Sequence, residues 1–359
     1  MKRVLNALSL LVVMFVLTAC GTSSSNSYEL ALITDSGTID DRSFNQGAWE
    51  GIKAYAEEHG ITHKYYQPTE KATTAYETTI DLAVEGGAKV IVCPGIVFEV
   101  AVYNSQTKYP DVKFILLDGQ PHNENENPKE VDYTIKDNVN AIYYADEQSG
   151  FLAGYAAVKD GYKKLGFIGG IEVPAVIRYG YGFVQGAEYA ANEMGLDDVT
   201  VKYNYCGTFN ASPEVQSMAA SWYNQGTEVI FACGGQIGNS IMTAAEASGG
   251  KVIGVDVDQS NESNTVVTSA MKQLSVSVKS TIESYYDGKF PGGQVVTLDA
   301  TSQAVGLPLK TSQFKKFNEA DYNAIYEKLV SGEIKIKTNA DVNNVTDLSV
   351  ERISITSVG

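Results

Sequence analysis

The feature that most constrains this chain is an internal repeat. "VIVCPG" at 90–95 matches "VIFACG" at 229–234 at an offset of 139 residues, and "FILLD" at 114–118 matches "VIGVD" at 252–256 at an offset of 138. "LGFIGG" at 165–170 opens the second copy as "LALITDSG" at 30–37 opens the first. Because the offsets agree within one residue, we predict two similar domains. The length of 359 residues agrees, since it exceeds what a single core usually supports.

Each copy alternates short apolar runs with amphipathic stretches. Runs at 29–34, 61–66, 89–93 and 113–117 read as strands. Between the first two, Phe44, Ala48, Ile52 and Tyr55 recur at helical spacing until Gly60 ends the helix. Strands that alternate with helices predict βαβ units, so we expect an α/β protein with two doubly wound parallel sheets.

The remaining segments predict crossings between the two domains. A polar loop, "QPHNENENPKE", is followed by a predicted short strand, "VDYTIK", and a helix, "SGFLAGYAAVKDG". After the second copy come a helix at 272–288, a strand "QVVTLD" and a last helix around 317–331. We expect one lobe from 29–140 plus 272–300 and the other from 141–271 plus 301–359. Several connections between two lobes imply a hinge and a cleft.

The amino terminus predicts export and lipid anchoring. Lys2 and Arg3 precede an apolar run that is too short for a spanning helix, so residues 1–20 read as a signal peptide. Its ending, "LTAC", resembles a bacterial lipobox, in which Cys20 is lipidated and becomes the mature amino terminus. Residues 21–28 then form a flexible tether. The alternative is a plain signal peptide with a chance cysteine.

The net charge argues against a nucleic-acid-binding protein, and the cysteine pattern argues against a CxxC motif. Loss of Lys2 and Arg3 with the signal takes the formal charge from −16 to −18, and such a chain repels nucleic acid. The other cysteines, Cys93, Cys206 and Cys233, are odd in number, lack CxxC spacing and follow apolar runs. We expect buried free thiols.

Polar groups gather where the predicted strands end, which is where parallel sheets bind ligands. In the first copy, Asp35 and Asp118 follow strands, and Phe44 and Asn45 open a helix. The second copy offers, at corresponding places, the following residues: Gly169, Gly170, Phe209, Asn210, Gly234, Gly235 and Asp256. An aromatic ring, carboxylates and backbone donors in each lobe suit a flat, uncharged, hydroxyl-rich molecule.

Ordinary structural roles are open for part of this set. Asp40, Asp41 and Ser43 are residue types that cap helix amino termini, which is what they most often do. Phe44 could be a core residue. Asp118 and Asp256 end apolar strands in both repeats, so their symmetry favours a shared role.

The chain resembles the basic membrane protein family of lipoproteins, which are substrate-binding proteins of ABC transporters. The matching segments run in order along the mature chain: "DSGTIDDRSFNQGAWEG", "QPTEKATTAYETTIDLAVEGGAKVIV", "FILLD", "SGFLAGYAA", "KLGFIGGIEVPAV", "GYGFVQGAEYA" and "VIGVDVDQ". The resemblance implies the type I periplasmic-binding-protein fold, with two lobes that close on a ligand. It also implies an ABC permease and ATPase as partners, and we expect a monomer.

The resemblance implies roles for individual residues in binding a purine nucleoside. The base-stacking rings would be Phe44 and Phe209, and the base-reading groups Asn45 and Asp118, with Asp35 nearby. The ribose-binding groups would be Gly234, Asp256 and Lys272. The loop "TFNASP" is one residue longer than the "SFNDP" form common in the family, which would shift Asn210 and alter base preference. Alternatives are a different planar ligand, such as riboflavin or a sugar, or a sensory receptor.

Catalytic and metal motifs are missing from the sequence. The three histidines, His59, His63 and His122, have no HExxH or paired-ligand spacing, and no GxSxG, Walker A or GxGxxG occurs. "DVDQSNES" at 256–263 lacks the glycine and terminal glutamate of a calcium loop. We therefore expect no enzyme, no metal and no cofactor, although a nucleoside-cleaving enzyme is the competing class.

Overall fold

The computed structural model describes residues 27–35 and 37–358. The predicted signal peptide, the lipidation of Cys20 and most of the tether lie outside the described residues. In the described part of the chain, no helix is both long and apolar enough to cross a bilayer.

The first copy of the repeat forms strands and helices in strict alternation up to its fourth strand. Its elements are β1 (Leu30–Ile33), α1 (Phe44–His59), β2 (His63–Tyr66), α2 (Thr73–Glu85), β3 (Val90–Pro94), α3 (Glu99–Lys108), β4 (Lys113–Leu117) and β5 (Val139–Tyr144). The central strands are buried except at Lys113, because helices cover both faces of the sheet, and their sequences are therefore nearly continuous apolar runs.

The second copy follows the same plan. Its elements are α4 (Asp146–Asp160), β6 (Lys164–Gly169), α5 (Pro174–Met194), β7 (Val199–Tyr205), α6 (Pro213–Asn224), β8 (Val229–Cys233), α7 (Ile237–Ser248), β9 (Lys251–Asp256) and β10 (Val266–Lys272). The chain continues through α8 (Leu274–Tyr286), β11 (Gln294–Leu298), β12 (Val305–Gly306), α9 (Glu319–Val330) and β13 (Ile353–Ser357).

Two sheets with one shared strand order result. The first runs β11-β5-β4-β3-β1-β2 and the second runs β12-β10-β9-β8-β6-β7-β13. Equivalent strands hold equivalent places, and pairing is parallel except for the short β12 against β10. This confirms the two doubly wound sheets that the repeat predicts. We call the first sheet with α1, α2, α3 and α8 the first lobe, and the second sheet with α4, α5, α6, α7 and α9 the second lobe.

The chain crosses between the lobes three times. The crossings lie between β5 and α4, between β10 and α8, and between β11 and β12. Adjacent crossings are tied together, since the Ala145 amide donates to the Leu298 carbonyl at 2.9 Å and the Gln273 amide to the Ala304 carbonyl at 2.8 Å. The expected lobe boundary at residue 140 falls inside β5, and the one at 272 falls on the last residue of β10.

One predicted strand is wrong. "VDYTIK" at 131–136 forms no strand, and most of its side chains are exposed. The strand is "VNAIYY", which is buried and pairs with both β4 and β11. The alternation in "VDYTIK" is typical of a half-buried strand, but a strand at this central position needs apolar residues on both faces.

Glycines allow an unusually close contact between α4 and α5. A Cβ atom at Gly150 would lie 2.1 Å from the Tyr179 carbonyl oxygen, and one at Gly154 would lie 2.0 Å from that of Phe183. The reverse contacts hold for Gly182 and Gly186 against the backbone of α4. These two helices therefore pack backbone against backbone along the amino-terminal part of α4.

Candidate functional site

A cavity of about 240 Å³ lies between the two lobes, outside the carboxyl ends of the central strands. Open parallel sheets bind ligands at this edge. The structure brings together in its wall all eight residues named as ligand-binding candidates: Asp35, Phe44, Asn45, Asp118, Phe209, Gly234, Asp256 and Lys272. Their contact with a ligand stays a prediction.

Two buried aspartates mark equivalent points of the repeat. Asp118 directly follows β4 and Asp256 is the last residue of β9. Both have a backbone in the left-handed region, with φ of 53° and 65°. This conformation is uncommon for residues other than glycine, and such strained positions cluster at ligand clamps and active sites. The shared geometry supports a shared role for the two carboxylates.

Lys272 stands at the centre of a buried ion cluster. Its Nζ atom lies 2.6 Å from Asp118, 3.2 Å from Asp146 and 3.4 Å from Asp256, and only 3% of the residue is exposed. Burial disfavours the ammonium charge, but the three carboxylates outweigh burial and hold the pKa of Lys272 well above its ordinary value. Because Asp118 comes from the first lobe, the cluster bridges the lobes.

Arg178 supplies the second cation of this cluster. Its Nη2 atom lies 2.7 Å from Asp146 and 3.9 Å from Asp118, and 14% of its side chain is exposed. Burial raises the pKa of Asp146 above its ordinary value, against the opposing effects of Lys272 and Arg178. Burial also raises the pKa of the neighbouring Glu147 to about 7.

Sequence reasoning missed Asp146, Glu147 and Arg178. The two acids open α4 directly after β5, so they are carboxylates at a strand end, as Asp118 and Asp256 are. They were overlooked because the strand was placed at 131–136, well before its true position. Arg178 lies inside α5 and carried no signal, because its role depends on the distance between two helices that the sequence does not show.

One aromatic ring from each lobe lines the cavity. Phe44 begins α1, is half-buried, and has Lys272 Nζ at 4.6 Å from its ring centroid. Phe209 follows β7 and packs closely against Gly170 and Gly234, since a Cβ at Gly170 would sit 2.3 Å from its ring and one at Gly234 2.9 Å from it. These glycines leave the room that the second ring needs.

The segment around Asn45 is an internally bonded network. The Asn45 side-chain amide donates to Asp35 at 2.8 Å and to Asp41 at 2.9 Å, and its oxygen accepts from the Asp35 amide at 3.2 Å. Asp41 accepts from the amides of Ser43, Asn45 and Gln46 at the start of α1, so it is a helix cap. Asn45 therefore orients two carboxylates at the cavity wall.

Ser43 and Asp40 do not share the capping role. The Ser43 side chain makes no cap hydrogen bond, and its hydroxyl instead donates to the Asp256 carboxylate of the other lobe. Asp40 is exposed to solvent. Among the described residues, one cavity-lining carboxylate oxygen, Asp118 Oδ1, is buried without a hydrogen-bond donor.

Apolar residues complete the cavity wall, together with the thiol of Cys233. The apolar part of the wall was not foreseen and consists of Ile96, Val97, Ile171, Val173, Pro174, Ala175, Val176 and Val255. The described cysteines, Cys93, Cys206 and Cys233, are free, and Cys206 is only half-buried. Within residues 27–35 and 37–358, no group of three or more His, Cys, Asp or Glu side chains is arranged to hold a metal ion.

The fold and the site define a class: two lobes of the type I periplasmic-binding-protein fold around a ligand-sized interlobe cavity. A solved ABC transporter solute-binding protein from Aeropyrum pernix K1 is similar, with a TM-score of 0.74 at 21% identity over 89% of this chain and 95% of that one. The likeness confirms the predicted fold.

The family follows from sequence. The model of the Bmp family, described as PnrA-like ABC transporter substrate-binding proteins, matches residues 28–340, so the chain belongs to this family. The chain is 31% identical to the nucleoside-binding protein BmpA of an ABC transporter in Lactococcus lactis, over 83% of this chain and 87% of that one. It is 29% identical to basic membrane protein A1 of Borrelia garinii, over 89% and 91%.

Membership confirms the resemblance and the expectation that the chain is not an enzyme, since the family consists of substrate-binding proteins. The chain is an ABC transporter substrate-binding protein. Its ligand is a small molecule, and its partners are transporter subunits.

Proposed function

We propose that this protein captures purine nucleosides in its interlobe cavity and delivers them to an ABC importer. The observation that carries the proposal is the pairing of one ring from each lobe with buried strand-end carboxylates around Lys272. The nucleoside-binding name of the Lactococcus relative supports the same ligand class.

The two rings suit a planar base. Phe44 and Phe209 belong to different lobes, so closure would place one ring on each face of a base. Stacking a base on an aromatic side chain is worth about 1–3 kcal/mol by alanine substitution, with little dependence on which base is stacked. A purine offers two such faces, and the apolar wall shields its edges from water.

The carboxylates suit hydrogen-bond donors. Asp118 Oδ1 is buried and accepts no hydrogen bond from a described residue, and an unmet buried acceptor is costly. A ring N–H, an exocyclic amine or a sugar hydroxyl would satisfy it. Following the family assignment, we place the ribose near Gly234, Asp256 and Lys272, and the base near Asp35 and Asp118. Asn45 would act by orienting Asp35.

Charge and size favour a nucleoside over its phosphates and over larger ligands. The acidic residues that line the cavity are Asp35, Asp41, Asp118 and Asp256, against the basic Lys71 and Lys272. This excess of carboxylates opposes a phosphate. The volume of about 240 Å³ is below the usual range of about 300–1,000 Å³ for ligand pockets, so a ligand as large as riboflavin fits poorly.

Calorimetric titration of protein stripped of bound ligand by unfolding and refolding tests the proposal. Adenosine, guanosine and inosine should bind, and the free bases and 5′-monophosphates should bind more weakly. Mass analysis of the ligand released on denaturation should identify a nucleoside. Preference for riboflavin or a free sugar, with no nucleoside binding, would replace this ligand class by one of the alternatives.

We place the protein at the outer face of the cytoplasmic membrane as a monomer anchored through Cys20. The "LTAC" ending and the tether support this, as does the membership in a substrate-binding family. Cys20→Ala should abolish palmitate labelling and release the protein from the membrane fraction. Unchanged labelling of the mature variant would refute anchoring at this residue.

A further inference from the structure

A segment of the first lobe, residues 38–43, reaches the second lobe at the rim of the cavity. Arg42 Nη1 lies 2.5 Å from the Glu262 carboxylate, and the Arg42 backbone carbonyl accepts a hydrogen bond from Gln259 Nε2 at 2.7 Å. Gln259 and Glu262 belong to "DVDQSNES" at 256–263, the acidic segment that lacks calcium-loop spacing. We call Arg42, Gln259 and Glu262 the cross-cleft latch.

The latch is separate from the ligand cavity. Among the described residues that line the cavity, none belongs to the latch. Its neighbours contact residues that line the cavity, since the next residue, Ser43, donates to Asp256, and Thr38 accepts from Gln236 at 3.4 Å. The latch therefore adds to the contacts between the lobes without adding a contact to the ligand.

The second-lobe side of the latch is held in place before the lobes meet. Gln259 is 2% exposed, its amide oxygen accepts from the Val255 amide at 3.3 Å, and its own backbone amide donates to Ser269 Oγ at 3.0 Å. With the oxygen engaged inside the second lobe, the amide nitrogen faces the first lobe. Little side-chain freedom is lost when this hydrogen bond forms.

The first-lobe side has an unusual backbone. Arg42 has a φ of 59°, a conformation that costs energy in residues other than glycine. Its amide donates to Gln46 Oε1 at 3.0 Å within the same lobe, and its carbonyl is directed across the cleft. Such strain persists where the surroundings compensate for it, and two of the contacts of Arg42, at its carbonyl and its guanidinium, are made with the other lobe.

We propose that the cross-cleft latch sets the ligand affinity of this protein without touching the ligand, by stabilising the closed arrangement of the lobes. The proposal rests on the proposed function in assuming that binding requires closure. The apparent dissociation constant then scales inversely with the fraction of molecules that close. Contacts that exist only between closed lobes slow ligand release more than they speed capture.

Matched variants test the latch. Glu262→Gln and Arg42→Gln each remove the ion pair and should raise the dissociation rate of adenosine about 2- to 5-fold, with the association rate nearly unchanged. The double variant should release adenosine little faster than either single variant, because both substitutions remove the same ion pair. The control is Arg352→Gln, which removes an ion pair of the same length, 2.5 Å, to Asp197 within the second lobe.

A measurement on the ligand-free protein tests the latch independently of which ligand the protein binds. Hydrogen exchange followed by mass spectrometry on the ligand-free protein should show faster exchange at residues 38–46 in Glu262→Gln than in the wild type or in Arg352→Gln. Added salt should narrow this difference, because the Arg42 and Glu262 side chains are partly exposed and their attraction is screened.

Faster adenosine release and faster exchange in both latch variants, with neither in the control, support the latch. Unchanged release and exchange in Glu262→Gln and Arg42→Gln refute it, as does a change confined to the association rate. If no nucleoside binds at all, the proposed function fails, and the exchange of the ligand-free protein decides the latch by itself.

Discussion

Replacement of Lys272 by methionine would test the buried ion cluster directly. Methionine keeps the unbranched stem and removes the ammonium group, which lies within 3.4 Å of three carboxylates. Asp146 keeps Arg178 at 2.7 Å, whereas Asp118 is left with Arg178 at 3.9 Å, and Asp256 with the hydroxyls of Ser43 and Tyr179. The variant therefore buries at least one carboxylate without an adequate partner.

The size of the effect follows from that loss. Breaking a buried ion pair by removing one partner costs about 3–5 kcal/mol, a large share of the roughly 5–15 kcal/mol that stabilises a folded domain. Burial already raises the pKa of Asp146 in the folded state against the opposing effect of Lys272, so loss of the ammonium raises this pKa further. The folded variant then binds more protons than the unfolded chain, so its stability falls as pH rises.

Urea unfolding at pH 4.5, 6.0 and 7.5 would measure this. The free energy of unfolding of Lys272→Met should fall below that of the wild type by about 3–5 kcal/mol at pH 7.5 and by clearly less at pH 4.5. The control is Lys279→Met, which breaks an exposed pair with Glu58 and should leave the free energy of unfolding nearly unchanged at every pH. A deficit in Lys272→Met that is equally large at all three pH values would refute the reasoning.

Three further outcomes are expected. Phe44→Ala should weaken the binding of purine nucleosides about 5- to 150-fold in calorimetric titration. Phe44→Tyr should weaken it less, because the tyrosine ring still offers a face for stacking. Near-normal affinity with a core-sized loss of stability would assign Phe44 to packing. Gly154→Ala should lower the free energy of unfolding by about 1–3 kcal/mol or more, because its Cβ would meet the Phe183 carbonyl. The control is Gly249→Ala, which has open space around its Cβ and a φ of 73° and should cost about 1 kcal/mol. Equal losses of stability in urea unfolding would contradict the clash. Glu147→Gln should flatten the pH dependence of stability between pH 4.5 and 7. In this window the raised pKa of Glu147 makes the wild type less stable as pH rises. A variant whose melting temperature depends on pH as the wild type's does would contradict this.

The sequence contained enough to predict the sheets and the edge at which the site lies. The repeat offsets paired β3 with β8 and β4 with β9, and the structure gives these strands equivalent places. Acids after apolar runs then located Asp118 and Asp256, because the carboxyl ends of parallel strands meet at one edge. Both inferences depend on local pattern and on a topology rule, which is why a single sequence sufficed.

What could not be predicted depends on distances between elements. The bond from Ser43 to Asp256 and the contact of Arg178 with Asp146 require two segments to meet, and neither segment signals its partner. Asn45 shows the same limit, since its residue type suits either a ligand contact or a support role. Only the three hydrogen bonds that Asn45 makes with Asp35 and Asp41 in the structure favour the support role.

The two repeat-equivalent aspartates show how one site can bind and close. Asp118 belongs to the first lobe and pairs with Lys272 of the second, whereas Asp256 belongs to the second lobe and accepts from Ser43 of the first. Each strand-end carboxylate thus reaches the opposite lobe while it also lines the cavity. A ligand that donates hydrogen bonds to these carboxylates would stabilise their charge just where the lobes meet. Ligand contact and lobe contact would then share the same side chains, and a change at either aspartate should alter affinity and closure together.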